Sequence, residues 1–184
     1  MRCMMKQIEK AISSEKRFKG RIVNLRHDEI ILDNHIYLRE VVEHPGGVCV
    51  LALTKDHHVI MVEQYRYAAA QLMTELPAGK KEKNEEPMVT AQRELLEETG
   101  YVAKQWVDYG VFYPSPAYLD EVIHLYVAKE LEFVGQKLDQ GEYLDVHFVP
   151  LSMLMEKIVS GEYTDGKTIA LASRYYLNEK EGLK

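Results

Sequence analysis

Between Glu86 and Thr99 the chain changes period, and that change constrains its fold more than any other feature it has. On either side, apolar residues come in short runs or alternate every second position, as strands require. Here they recur at Met88, Ala91 and Leu95, one face of a helix. Pro87 suits the first turn of such a helix, and Gly100 suits the left-handed residue just past its end. Upstream, strands are expected from Phe18 to Leu25, Ile30 to Leu32, Ile36 to Val42, Val48 to Leu53 and Val59 to Gln64. Arg26-His27-Asp28-Glu29 reads as a turn, His44-Pro45-Gly46-Gly47 as a break, and Thr54 to His58 as a hairpin loop. Downstream, strands resume around Trp106 to Phe112, Glu121 to Ala128 and Asp145 to Val149. Two helices, Leu151 to Ile158 and Thr168 to Leu177, close the chain. Strands mixed with a few helices, without regular alternation, predict an α+β sandwich rather than a doubly wound sheet.

The central helix has an unusual polar face. Glu97 and Glu98 lie three and four positions after Glu94, so all three fall within an arc of about 100°. Like charges at these spacings destabilise a helix by roughly 0.2–0.5 kcal/mol per pair. Their place near the C-terminus adds to the cost, because the helix dipole favours cations there. A bound divalent cation would remove the conflict, and magnesium takes oxygen ligands of this kind. An acidic cluster alone is more often a solvated face, so its flanks have to decide.

Those flanks carry a long pattern. Gly79 opens it, Glu85 follows after five residues, and after seven more comes Arg93-Glu94-Leu95-Leu96-Glu97-Glu98-Thr99-Gly100. The segment resembles the signature box of the Nudix hydrolase superfamily, with Tyr101 standing where that family usually has an aliphatic residue. Outside the box the resemblance continues over nearly the whole chain and is closest to the ADP-ribose pyrophosphatase group. It is carried by Glu75-Leu76-Pro77-Ala78-Gly79 ahead of the box, by Gln64-Tyr65-Arg66 upstream, and by Pro116 about fifteen residues beyond it. Ala117 departs from the group, which mostly has glycine there. If that position needs a positive φ, alanine is strained.

The resemblance implies a Nudix-type α/β/α sandwich with a mixed sheet. Residues 1–43 would form a small N-terminal β subdomain serving dimerisation, and residues 44–184 the hydrolase domain. It implies magnesium, with manganese as a substitute, held by Glu94, Glu97, Glu98 and the carbonyl of Ala78. Arg93 would orient the acids, Glu85 would hold the loop, and Gly79 and Gly100 would shape the motif. Arg66, Arg39, Glu40 and Pro116 become candidates for contacting substrate. A general base is also needed. Spacing alone leaves Asp139, Glu142 and Asp145 open, and the resemblance selects Glu142 as catalytic alongside Glu94 and Glu98. The expected reaction is hydrolysis of the pyrophosphate bond of ADP-ribose to AMP and ribose 5-phosphate. The alternatives are another sugar nucleotide or dinucleotide, or a nucleotide-sensing module that does not cut.

Composition bears on partners and compartment. A net charge of -6 speaks against non-specific nucleic-acid binding, which needs a basic footprint. It leaves room for a small-molecule nucleoside diphosphate whose charge a metal neutralises. No run approaches the ~20 apolar residues of a membrane span, and the N-terminus lacks the apolar core of a secretory signal. With only Cys3 and Cys49 a disulfide framework is not expected, and the cytoplasm follows as the default. Cys49, inside an apolar run, reads as a core residue. His57 and His58 read as a hairpin tip, and His124 and His147 as strand residues.

Overall fold

The computed structural model describes residues 8–138 and 143–182, and Cys3 and the Asp139–Glu142 stretch lie outside them. The chain divides into two units. One is the chain up to Pro45 together with Ser115–Glu121, and the other is Gly46–Pro114 with the chain from Val122 onward.

The first unit is a three-stranded antiparallel sheet, β1 (Lys10–Lys19), β2 (Asn24–Leu32) and β3 (His35–Glu43), in that order. Asp33 and Asn34 join β2 to β3, both at positive φ, as a two-residue hairpin turn requires. The stretch Arg26–Glu29 is not the expected turn. It lies inside β2, with Arg26 opposite Val41 and Glu29 opposite Leu38. Its charges are tolerated in a strand because partners are at hand: Arg26 bonds Asp28 and Glu43, each at 2.9 Å. The chain turns earlier instead, where the Gly20 N–H donates to the Val23 carbonyl. The segment Ser115–Glu121 is stitched to β3 by Val42 N–H to the Tyr118 carbonyl and Asp120 N–H to the Val42 carbonyl. Ala117 is not among the residues at positive φ, so its Cβ carries no backbone penalty.

The second unit is the expected sandwich. Its seven-stranded mixed sheet has the order β10-β5-β4-β9-β8, with β6 paired to β5 and β7 to β4. The strands are β4 (Gly47–Leu53), β5 (His58–Arg66), β6 (Gln71–Glu75), β7 (Ala78–Lys80), β8 (Tyr101–Phe112), β9 (Ile123–Phe133) and β10 (Leu144–Pro150). β4 and β9 are parallel and the other pairings antiparallel. Among the described residues, three α-helices cover the sheet: α1 (Pro87–Thr99), α2 (Leu151–Val159) and α3 (Gly166–Glu181).

β4 is buried along its whole length, which explains why its sequence is a continuous apolar run. Alternate residues serve different layers. Val48, Val50 and Ala52 pack with Ala91 and Leu95 of α1, while Cys49, Leu51 and Leu53 pack with Leu154 of α2 and Leu171 and Tyr175 of α3. Cys49 is a core residue, and burial pushes its thiol up from its ordinary value. No helix among the described residues is long and apolar enough to cross a membrane.

Candidate active site

The site is assembled where two neighbouring strands part. β4 and β5 pair only at Ala52–Ile60 and Leu53–Val59. Beyond that point β5 pairs with β6 and β4 with β7, so the chain crosses from one strand to the other at Leu76-Pro77. The Pro77 carbonyl accepts from the Val50 N–H at 2.9 Å, which fixes the crossing. It delivers Ala78 and Gly79 to the acidic face of α1.

Both residues meet an acid there. The Ala78 N–H donates to Glu98 Oε2 at 3.0 Å, and Glu98 is only 5% exposed. The Glu94 carboxylate lies against Gly79, in the space that a Cβ on that residue would occupy. Glycine is needed here for close approach, not for a turn. Gly100 has the other reason. It ends α1 at φ +77 and donates to the Leu96 carbonyl.

Arg93 organises the remaining acids. Nε and Nη2 reach Glu85 at 3.0 Å each, Nη1 reaches Glu94 and Glu97 at 2.8 Å each, and Nη2 also reaches the Lys80 carbonyl at 3.2 Å. All five guanidinium N–H donors are therefore used. A cation was expected to relieve the crowding of the glutamates, but Arg93 already offsets part of it from within the helix. The guanidinium, with help from the Glu82 N–H, holds the Glu85 carboxyl down at about 2. Glu85 in turn pushes the Arg93 value above its ordinary one.

The C-terminal carbonyls of α1 are capped by a neighbouring segment. Lys137 N–H donates to Glu97 O, Gln136 Nε2 donates to Glu98 O, and the N–H groups of Val134 and Gly135 both donate to Gly100 O. The last turn of α1 has no basic side chain, so these donors do the work that a lysine usually does. This segment runs directly into Asp139–Glu142. The expected base Glu142, and Asp139 with it, lies outside the described residues.

A second ionic cluster lies at the other end of the crossing. Glu75 is 1% exposed, and Arg66 grips it through Nε at 2.8 Å and Nη2 at 2.7 Å. Lys167 Nζ reaches the same carboxylate at 2.5 Å and Asp165 at 2.9 Å. Asp165 caps α3, accepting from the Thr168 N–H at 3.0 Å and its hydroxyl at 2.6 Å. Thr168 Oγ1 also accepts from the Leu76 N–H at 2.9 Å. Burial opposes the Glu75 charge, but Arg66 and Lys167 outweigh it and hold its carboxyl below the ordinary value. Burial likewise disfavours charge on Lys167, and Asp165 and Glu75 overcome it. Sequence reasoning gave none of Glu75, Asp165, Lys167 and Thr168 a role. An aspartate just ahead of a predicted helix was the one signal that could have drawn attention to Asp165.

The other candidates belong to the first unit. Arg39 is held by Glu9, Glu40 lies 3.4 Å from His27, and Pro116 sits in the turn that bonds Tyr118 and Leu119 back to Ser115.

The donor set of α1 and Ala78 is all oxygen, which suits a hard divalent cation. Among the described residues no three acid, histidine or cysteine side chains form a cation site by themselves.

Residues 43–170 match the NUDIX domain. The chain is 42% identical to an ADP-ribose pyrophosphatase of Bacillus subtilis over 179 residues, 96% of each protein. It is equally identical, over the same share, to a methanol dehydrogenase activator of Bacillus methanolicus. A crystal structure of an ADP compounds hydrolase shares the fold at a TM-score of 0.82 and 18% identity, covering 96% of this chain and 97% of that one.

Proposed function

The chain belongs to the NUDIX family, in its ADP-ribose pyrophosphatase group, and we propose that it hydrolyses the pyrophosphate bridge of ADP-ribose to AMP and ribose 5-phosphate with magnesium. One observation carries this: Glu94, Glu97 and Glu98 sit on one face of α1, two of them bonded to Arg93 and the third to the Ala78 amide. The likeness to an ADP-ribose pyrophosphatase over almost the full length supports the choice of substrate.

In this proposal Glu94, Glu97, Glu98 and the Ala78 carbonyl hold the cation, which when bound polarises the phosphoryl oxygens and acidifies the attacking water. Arg93 fixes the rotamers of Glu94 and Glu97, so their oxygens are in place before substrate arrives. Glu142 takes the proton from water. Arg66 directs Nη1, which bonds no described residue, to a substrate phosphate or the terminal ribose. Arg39, Glu40 and Pro116 are the further candidates for substrate contact, Arg39 and Glu40 through N-terminal strands that cross onto a second copy.

We also propose a homodimer formed through the N-terminal strands, in the cytoplasm. Ile36 and Leu38 on one face of β3 are 63% and 54% exposed, an apolar surface that a second copy would cover. The likeness to a dehydrogenase activator favours a second reading, in which the same hydrolysis serves an enzyme partner.

The test is a turnover screen over ADP-ribose, other ADP-sugars, GDP-mannose and NADH, with and without magnesium. AMP released fastest from ADP-ribose, only with the metal, is the expected result. No AMP from ADP-ribose at any metal concentration would overturn the proposal.

A further inference from the structure

The geometry points to Lys167 as a positioning residue for substrate binding: it shares the Glu75 carboxylate with Arg66 and so leaves Arg66 cationic toward a diphosphate. This rests on the assignment of Arg66 to substrate made above.

An arginine gripping a carboxylate through two nitrogens is close to neutral from outside, and a neutral pair is a poor anion receptor. Arg66 and Glu75 alone would be such a pair. Here Lys167 Nζ lies 2.5 Å from Oε2, the same oxygen that Arg66 Nη2 uses at 2.7 Å. One carboxylate is therefore divided between two cations. The second anion of the cluster, Asp165, pairs with Lys167 through Oδ1 at 2.9 Å and accepts from the amide and hydroxyl of Thr168 through Oδ2, at the start of α3, where the helix dipole stabilises negative charge.

The cluster thus runs from a helix N-terminus through alternating charges to one exposed end. Side-chain exposure is 14% for Asp165 and Lys167, 1% for Glu75 and 39% for Arg66. Arg66 is the most exposed of the four, its Nη1 makes no hydrogen bond to a described residue, and Glu98 is near enough for its charge to act on the guanidinium. A purely structural bridge explains the burial of Lys167. It does not explain why two cations converge on one oxygen while the guanidinium keeps a nitrogen to spare. Buried ion pairs are in any case weak contributors to stability.

The experiment is a double-mutant cycle. Lys167→Met leaves Glu75 facing Asp165 without the cation and is at risk of misfolding. Lys167→Met combined with Asp165→Asn removes one charge of each sign and keeps a residue that caps α3. Binding of inorganic pyrophosphate with magnesium is measured by calorimetry, and kcat and KM for ADP-ribose by AMP release. The paired variant is expected to raise the dissociation constant and KM about tenfold, with kcat within about twofold of wild type. Lys167→Arg should restore most of the affinity. In an Arg66→Ala background the same paired change should have no further effect on binding, because Lys167 acts through Arg66.

Unchanged affinity in the paired variant, or an equal loss in the Arg66→Ala background, would overturn the role of Lys167. Wild-type protein that binds pyrophosphate but fails to cleave ADP-ribose would overturn the substrate assignment and leave the cycle interpretable.

Discussion

The Glu94 carboxylate lies where a side chain on Gly79 would begin, so the loop ahead of α1 and the acid on it are fitted at the level of one missing carbon. Gly79→Ala should therefore push Glu94 aside. What must move is the far end of a flexible side chain, so the cost in stability is small. A displacement near 1 Å at a reacting centre costs on the order of a hundredfold in rate. Thermal unfolding and AMP release measured together should show a lost rate with a melting temperature close to that of wild type. Full activity in Gly79→Ala would mean that Glu94 takes no part in the chemistry.

Glu98→Gln keeps the shape of the side chain and an acceptor for the Ala78 N–H, and removes only the charge. Turnover should fall on the order of a thousandfold, since a lost metal ligand forfeits several kcal/mol of charge stabilisation. The melting temperature should barely move. Near-normal turnover in a folded variant would remove the central role given to α1.

The ion pair of Glu85 with Arg93 makes stability depend on acid. The Glu85 carboxyl is held at about 2 in the folded chain, below its ordinary value of 4.5. A group depressed on folding stabilises above its unfolded value and loses that contribution as the pH falls through its folded one. The contribution is thus present at neutral pH and declines between about pH 5 and pH 2. Urea unfolding across that window should show a shallower acid decline in Glu85→Gln than in wild type. Parallel curves would contradict the pairing.

The exposed face of β3 gives a test of assembly. Replacing Ile36 and Leu38 by lysine places like charges on the surface assigned to a second copy. Sedimentation should show a dimer for wild type and a monomer for Ile36→Lys/Leu38→Lys, both folded by circular dichroism. A variant that remains dimeric would move the interface elsewhere.

What the sequence disclosed follows from how local each signal is. Helix α1 was expected from Glu86 to Thr99 and runs Pro87–Thr99, because Pro87 and Gly100 act within one turn of its ends. β4 was legible because burial on both faces leaves no polar position in it. β1 was not: all ten of its residues are exposed, so it has no apolar alternation to show, and its pairing with β2 is what makes it a strand. Arg26–Glu29 looked like a turn because its charges sit in sequence without their partners, one of which is 17 residues away. The box residues could be read from a pattern of spacing. The role of Glu75 could not, because Lys167 lies 92 residues on and only the fold brings the two together. β6 and β7, five and three residues long, offered too little period to register.

The division of labour along β4 bears on how the strand tolerates substitution. Its even-numbered residues answer to the acid-bearing helix, and its odd-numbered ones to the pair of helices that includes the one carrying Lys167. A substitution on one face of β4 therefore has to be absorbed by the helices it faces, while the layer on the other face keeps its packing.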